Sequence, residues 1–253
     1  MSIADDIRNR LRAVEEERAT RGAEVGLNAK VRALKEYQQK RFRHTYADLL
    51  GDVRYGPACR FFLDELYGPA DFSQRDAQFS RVIPSLVRLF PTDLVNTVGM
   101  LAELHDLSER LDTLMGRHLT AASVDANGYI YAWQATGRRS ERFRQIELTL
   151  DVAKSLDSLT RKPLLKNGLR LMRSAARAAG LGELQQFLET GFNTFKAMKG
   201  AQDFVATVER RERALAVALF DAAFLPAAKR SATNDASRLL PPVPSAADLE
   251  SRD

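Results

Sequence analysis

The chain has 253 residues, 45% of them hydrophobic, and a formal net charge of +5, which is enough apolar material for one large core or two small ones. Its single cysteine, Cys59, excludes an internal disulfide, and no run reaches the roughly 20 consecutive apolar residues that span a bilayer. Residues 1–21 are charged throughout and lack the apolar stretch of a secretion signal, so the expected location is cytoplasmic.

With 14 Gly and 9 Pro among abundant Ala, Leu, Arg and Glu, the composition predicts an all-α fold. The expectation is a single multi-helix bundle of about eight or nine helices over residues 1–224, followed by a disordered tail over 225–253. The tail carries Pro241, Pro242 and Pro244 and no apolar period that could offset the entropy of ordering.

In chain order, the first predicted helix is amphipathic and lies within residues 1–21, with Ile3, Ile7, Leu11 and Val14 at helical spacing ahead of Glu15, Glu16 and Glu17. Its stripe needs a partner surface, on its own domain or on a second copy. A second helix carries Leu27, Val31, Leu34, Phe42, Tyr46 and Leu49 as far as Gly51, long enough for an antiparallel arm. Residues 58–67 form a short apolar helix ended by Gly68 and Pro69. Asp71 or Ser73 caps the next, which runs to about Phe90. Pro91 and Thr92 open a helix of about 28 residues along Leu94, Val98, Leu101, Leu104, Leu111 and Leu114.

Residues 124–137 are ambiguous: Tyr129, Ile130, Tyr131 and Trp133 have the composition of a strand, while Ala126, Ala132, Gln134 and Ala135 favour a helix, and helix is the expectation. Further helices follow through Phe143, Ile146, Leu150, Ala153 and Leu156, then from Pro163 to Gly180, then through Leu184, Leu188, Phe192 and Phe195. The last carries Phe204, Val208, Leu215 and Leu219. In its middle, residues 209–213 are all charged and encircle the helix, so Arg211 or Glu212 must interrupt the apolar stripe, which predicts a paired charge at a packing seam.

The histidines, His44, His105 and His118, have no Glu-x-x-His, His-x-x-x-His or His-Glu-x-x-His spacing, which excludes the di-iron and helical zinc signatures. Phosphate-binding loops, dinucleotide fingerprints and nucleophile elbows are missing as well. The sequence therefore implies no metal or cofactor and weighs against an enzyme. His44 stands four residues before Asp48, and His105 four before Glu109, so each has a carboxylate one turn away that could orient it, with an ordinary structural pair the stronger reading. Arg138, Arg139, Arg142 and Arg144 follow Tyr129, Tyr131 and Trp133 and could present an anion or nucleic-acid surface with stacking rings. Glu141 and Glu147 dilute that run, and a solvated helix start is the stronger reading.

The densest mixture of polar and apolar residues is 61–76. As a structural unit it is a tight turn between helices, with Arg75 paired to a carboxylate. As a site it is a polar pocket in which Tyr67, Asp71, Arg75 and Asp76 face a small ligand, joined by Arg211 and Glu212. This stretch resembles the motif Phe-Phe-Leu-x-x-Leu-Tyr-Gly-Pro-x-Asp-Phe-Ser-x-Arg-Asp of an uncharacterised family of bacterial helical proteins. Similarity continues at 187–192 and at Arg211 and Glu212, covering most of residues 30–222. The resemblance implies a bacterial, helical, non-secreted protein and carries no activity or ligand. The functional expectation is a noncatalytic interaction or scaffold protein that engages a partner or a second copy through its N-terminal helix or its tail. Ligand binding near Tyr67 and Arg75 is the alternative, and nucleic-acid binding through 138–144 the third.

Overall fold

A computed structural model of the chain describes residues 2–66, 73–221 and 238–241. The described residues contain eleven α-helices and no strand: α1 Ile3–Ala23, α2 Leu27–Thr45, α3 Ala47–Gly51, α4 Gly56–Phe61, α5 Ser73–Leu89, α6 Thr92–His118, α7 Ala126–Thr136, α8 Arg139–Thr160, α9 Pro163–Ala178, α10 Gly182–Ala197 and α11 Gln202–Leu219. A π-helical turn, Phe62–Leu66, continues α4. The all-α expectation holds, but eight or nine helices was too few. One cause is that Tyr46, at φ −117° and ψ 27°, breaks the long second helix into α2 and α3, which sequence periodicity alone does not register.

Local chemistry sets several ends. Ser2 accepts a hydrogen bond from the Asp5 amide while the Asp5 carboxylate accepts from the Ser2 amide, a reciprocal cap that opens α1. Asp125 Oδ1 accepts from the Gly128 amide at 2.8 Å and opens α7. Gly180 ends α9 at φ +70°, the Gly180 and Leu181 amides returning to the Arg177 and Ala176 carbonyls at 3.1 and 2.8 Å.

The 27-residue α6 is the central rod, packed by α1, α2, α5, α7 and α8. Ile7 and Leu11 of α1 are buried with Ile83, Leu86, Val95 and Val98 of α5 and α6. Each such side chain contributes roughly 1.5–3 kcal/mol of burial. The N-terminal stripe therefore finds its partner surface within the chain. Gly116 lets α2 approach α6, since a Cβ there would lie 2.5 Å from Val31 Cγ2. A second cluster gathers Tyr46, Cys59, Leu150, Phe195, Met198 and Phe204. In α7, Tyr129, Ile130 and Trp133 are buried together, which decides the ambiguous segment in favour of helix: one face of two aromatic side chains and a branched chain docks at helical spacing.

The expected tail at 225–253 lies outside the described residues except for 238–241. Of those four, Leu240 is buried beside the cluster of Tyr37, Trp133 and Leu219, and Thr45 Oγ1 donates to the Leu239 carbonyl at 2.6 Å. His44 Nε2 lies 2.9 Å from the Arg238 carbonyl oxygen instead of pairing with Asp48.

Candidate functional site

Residues 105, 109, 112 and 113 of α6 fall on the side of that helix that meets α1 and α2, where they build a polar cluster. Glu109, only 3% exposed, accepts from Arg18 at 3.1 Å, Arg21 at 2.8 Å and Lys35 at 2.7 Å. Burial alone would raise the Glu109 carboxyl, but Lys35, Arg18 and Arg21 outweigh it and hold it far below the usual carboxylate range. One turn further on, the buried Asp112 accepts from Gln38 Nε2 at 2.9 Å, and here burial prevails and raises the carboxyl. Arg18 also reaches Asp76 at 2.9 Å, and His105 Nε2 lies 3.0 Å from Asp76 Oδ2. The carboxylate that orients His105 thus comes from α5, not from Glu109 one turn along its own helix. A carboxylate so strongly held in its ionised form is a poor proton acceptor near neutrality, and this cluster reads as a clamp joining α1, α2, α5 and α6.

Of the residues expected to line a pocket at 61–76, Tyr67 and Asp71 lie outside the described residues. Arg75 and Asp76 diverge. Arg75 donates to Glu65 Oε2 at 3.3 Å and lies 4.4 Å over the Phe187 ring of α10, whereas Asp76 turns to Arg18 and His105. Arg211 and Glu212 belong to another cluster, at the seam of α11 with α2 and α3. Arg211 forks onto Asp48, both contacts at 2.7 Å, and also donates to the Thr45 carbonyl. Glu212 accepts from Arg41 at 2.5 Å and from the Tyr46 hydroxyl at 2.6 Å. The paired charge expected at a packing seam is present, and it shares no ion-pair partner with Arg75 or Asp76.

The arginines at the start of α8 also separate. Arg138 is exposed, Arg139 lies over Phe143 and Phe220, and Arg144 pairs with Glu103 at 2.8 Å. Arg142 is buried, 4.2 Å over the Trp133 ring and in contact with Met115 Sδ and Gln145. It falls on the α8 face turned toward α6 and α7, so it serves the interior and not a surface for anions. Tyr129 and Trp133 are buried too, which leaves Tyr131 as the exposed ring of the three. Cys59 is fully buried, and burial pushes its thiol up to about 12, so it packs as an apolar group. A shallow cleft of about 280 Å³ lies between α1, α6 and α8, but its charges are matched: Arg10 and Arg144 with Glu103, Arg110 with Glu141. Among the described residues, no three His, Cys, Asp or Glu side chains group as they would to hold a metal ion.

The surface that stands apart is α9, which segregates apolar from basic residues more sharply than any other long helix described. Lys166, Arg170, Arg173 and Arg177 recur at spacings of four, three and four, and so fall within about 60° of the helix circumference. Arg173 pairs with Glu189 of α10 at 2.6 Å. The other three have no ion pair among the described residues. Leu169 and Ala176 turn toward the body of the protein, while Leu171 is 80% and Met172 43% exposed. Sequence reading passed over this face, although its signal was legible: residues 158–182 contain no Asp or Glu.

Fold and surface together define, among the described residues, an all-helical protein whose interior charges are engaged by neighbouring side chains and whose open face is a basic amphipathic helix. Residues 17–226 match the family model described as Domain of unknown function (DUF8198), and the chain belongs to that family. The match takes in α2 to α11 and so the whole of residues 61–76. No curated protein and no solved structure matches the chain.

Proposed function

We propose that the protein is a noncatalytic interaction module whose working surface is the outer face of α9. The observation that carries this reading is the exposure of Leu171 and Met172 on a helix whose Lys166, Arg170 and Arg177 have no ion pair among the described residues. Exposed apolar side chains and unmatched charge on one helix suit recognition better than folding, because neither group stabilises the domain that bears them. The N-terminal helix, expected to be the partner surface, is less suited to the role, since Ile7, Leu11 and Val14 are already covered. The expected cytoplasmic setting is kept in this reading, in which the buried thiol of Cys59 stays reduced.

The test is a photoactivatable phenylalanine placed at position 171 of the full chain in living cells, with the same group at position 53, where Val53 is 96% exposed, as the control. Irradiation is expected to give adducts at 171 well above those at 53. Equal yields at the two positions would overturn the reading.

A further inference from the structure

Resting on that reading, we propose that the occupant of the α9 face is the surface of an anionic lipid bilayer. The stretch from Ser158 to Gly182 contains six cations and no acid; Arg161, Lys162 and Arg173 pair with Asp157, Asp93 and Glu189 outside it, while Lys166, Arg170 and Arg177 have no ion pair among the described residues. A polybasic segment of this kind is attracted to anionic headgroups by about fivefold in affinity for each cation near the surface. The shape of the surface fits the same occupant. From Lys166 to Gly180 only Ala176 is buried, and Gly168 and Leu169 are half-buried, so the helix stands as a ridge with most of its circumference open. A protein partner would need a groove to receive such a ridge. A bilayer meets it as a plane along its whole length.

The chemistry of the ridge follows that geometry. Leu171 and Met172, with the small Ala175 beside them, are the groups available to enter the boundary between headgroups and acyl chains. Lys166, Arg170 and Arg177 have stems long enough to follow the apolar surface and leave their charged ends among phosphates. Arg173 is held by Glu189, and the Gln185 amide donates to the Leu169 carbonyl at 2.6 Å, so α10 anchors the helix while leaving those three cations free to act. Arg81 of α5 reaches the Gly180 carbonyl at 3.5 Å and adds a cation at the C-terminal end of the ridge. The exposed acid nearest in sequence is Glu183, just past that end.

The experiment is cosedimentation of the full chain with vesicles of phosphatidylglycerol and phosphatidylcholine against vesicles of phosphatidylcholine alone, at several salt concentrations. Binding to the anionic vesicles is expected to exceed binding to the neutral ones by about tenfold or more and to fall as salt rises. Arg170→Glu with Arg177→Glu should lower it by about tenfold or more. Leu171→Glu with Met172→Glu should lower it as well, with an unchanged far-ultraviolet circular dichroism spectrum. The control is Arg32→Glu with Lys40→Glu, two exposed residues of α2 that change net charge equally, and it should bind as the parent does. Equal binding to neutral vesicles, or an equal loss in the α2 control, would overturn the lipid occupant. Mass spectrometry of the adducts at position 171 separates the two readings. Lipid adducts support both. Adducts to another protein, to a second copy or to residues 225–253 of the same chain, without vesicle binding, overturn the lipid occupant; the first two leave the interaction reading standing. No adduct and no vesicle binding overturn both.

Discussion

At the junction of α1, α2 and α6 three cations converge on one carboxylate, Glu109; along α9 four cations have one paired carboxylate, Glu189. The local charge imbalance is similar and the consequence is opposite. At Glu109 every group is fixed by a neighbour inside the fold, water is largely excluded, and removing one member strands the others. On α9 three of the cations stand in solvent, where their field is screened but remains available to something outside the chain. Paired, buried charge specifies how helices assemble, whereas unpaired, exposed charge leaves the assembly indifferent and marks a surface for another use.

That contrast can be broken most directly at Glu109. Glu109→Gln leaves Arg18, Arg21 and Lys35 without their anion and should cost about 3–5 kcal/mol in urea unfolding at neutral pH. The pH dependence has a definite sign. Because the folded carboxyl lies below its ordinary value of 4.5, its contribution is present above that value and is lost as pH falls through the acid range. The Gln variant should lose that part of the slope, and an unaltered acid profile would refute the clamp.

Asp112 sharpens the comparison from within the same helix. Its folded carboxyl is raised, so its contribution runs the other way, present at low pH and lost as pH rises above the ordinary value of 3.8. Asp112→Asn keeps an acceptor for Gln38 and removes a costly buried charge. It should be neutral or stabilising at neutral pH in the same urea measurement, and a loss as large as that of Glu109→Gln would show that the two carboxyls act as one unit. The smallest effect on stability belongs to α9: Leu171→Ser should change it by less than about 0.5 kcal/mol. If the unfolding midpoint dropped clearly, the Leu171 side chain would be part of the core and not of a docking face.

Much of this arrangement was legible in local pattern. Leu94 to Leu114 announced α6, Pro163 and Gly180 bracketed α9, and the charged run at 209–213 announced a pair at a seam. What the run could not name was the partners, because Arg41 and Tyr46 lie more than 160 residues away along the chain. Distance along the chain, 74 to 91 residues, also hid the clamp at Glu109, whose cations come from α1 and α2. Arg142 misled for a related reason. A guanidinium beside aromatic residues reads alike whether it stacks on Trp133 in the interior or offers itself to an anion, and only the packing of α8 on α6 and α7 chose between them.

The sequence by itself determined that the chain is helical, where most helices begin and end, and which segment is acid-free, since periodicity, capping and composition are properties of neighbours along the chain. Which apolar stripe is covered and which is left open was decided by the tertiary structure alone. Both α1 and α9 carry apolar side chains at helical spacing, and α9 is the more sharply segregated, yet Ile7 and Leu11 meet α5 and α6 while Leu171 meets solvent. Burial is a relation between distant elements, and no helix carries that information about itself.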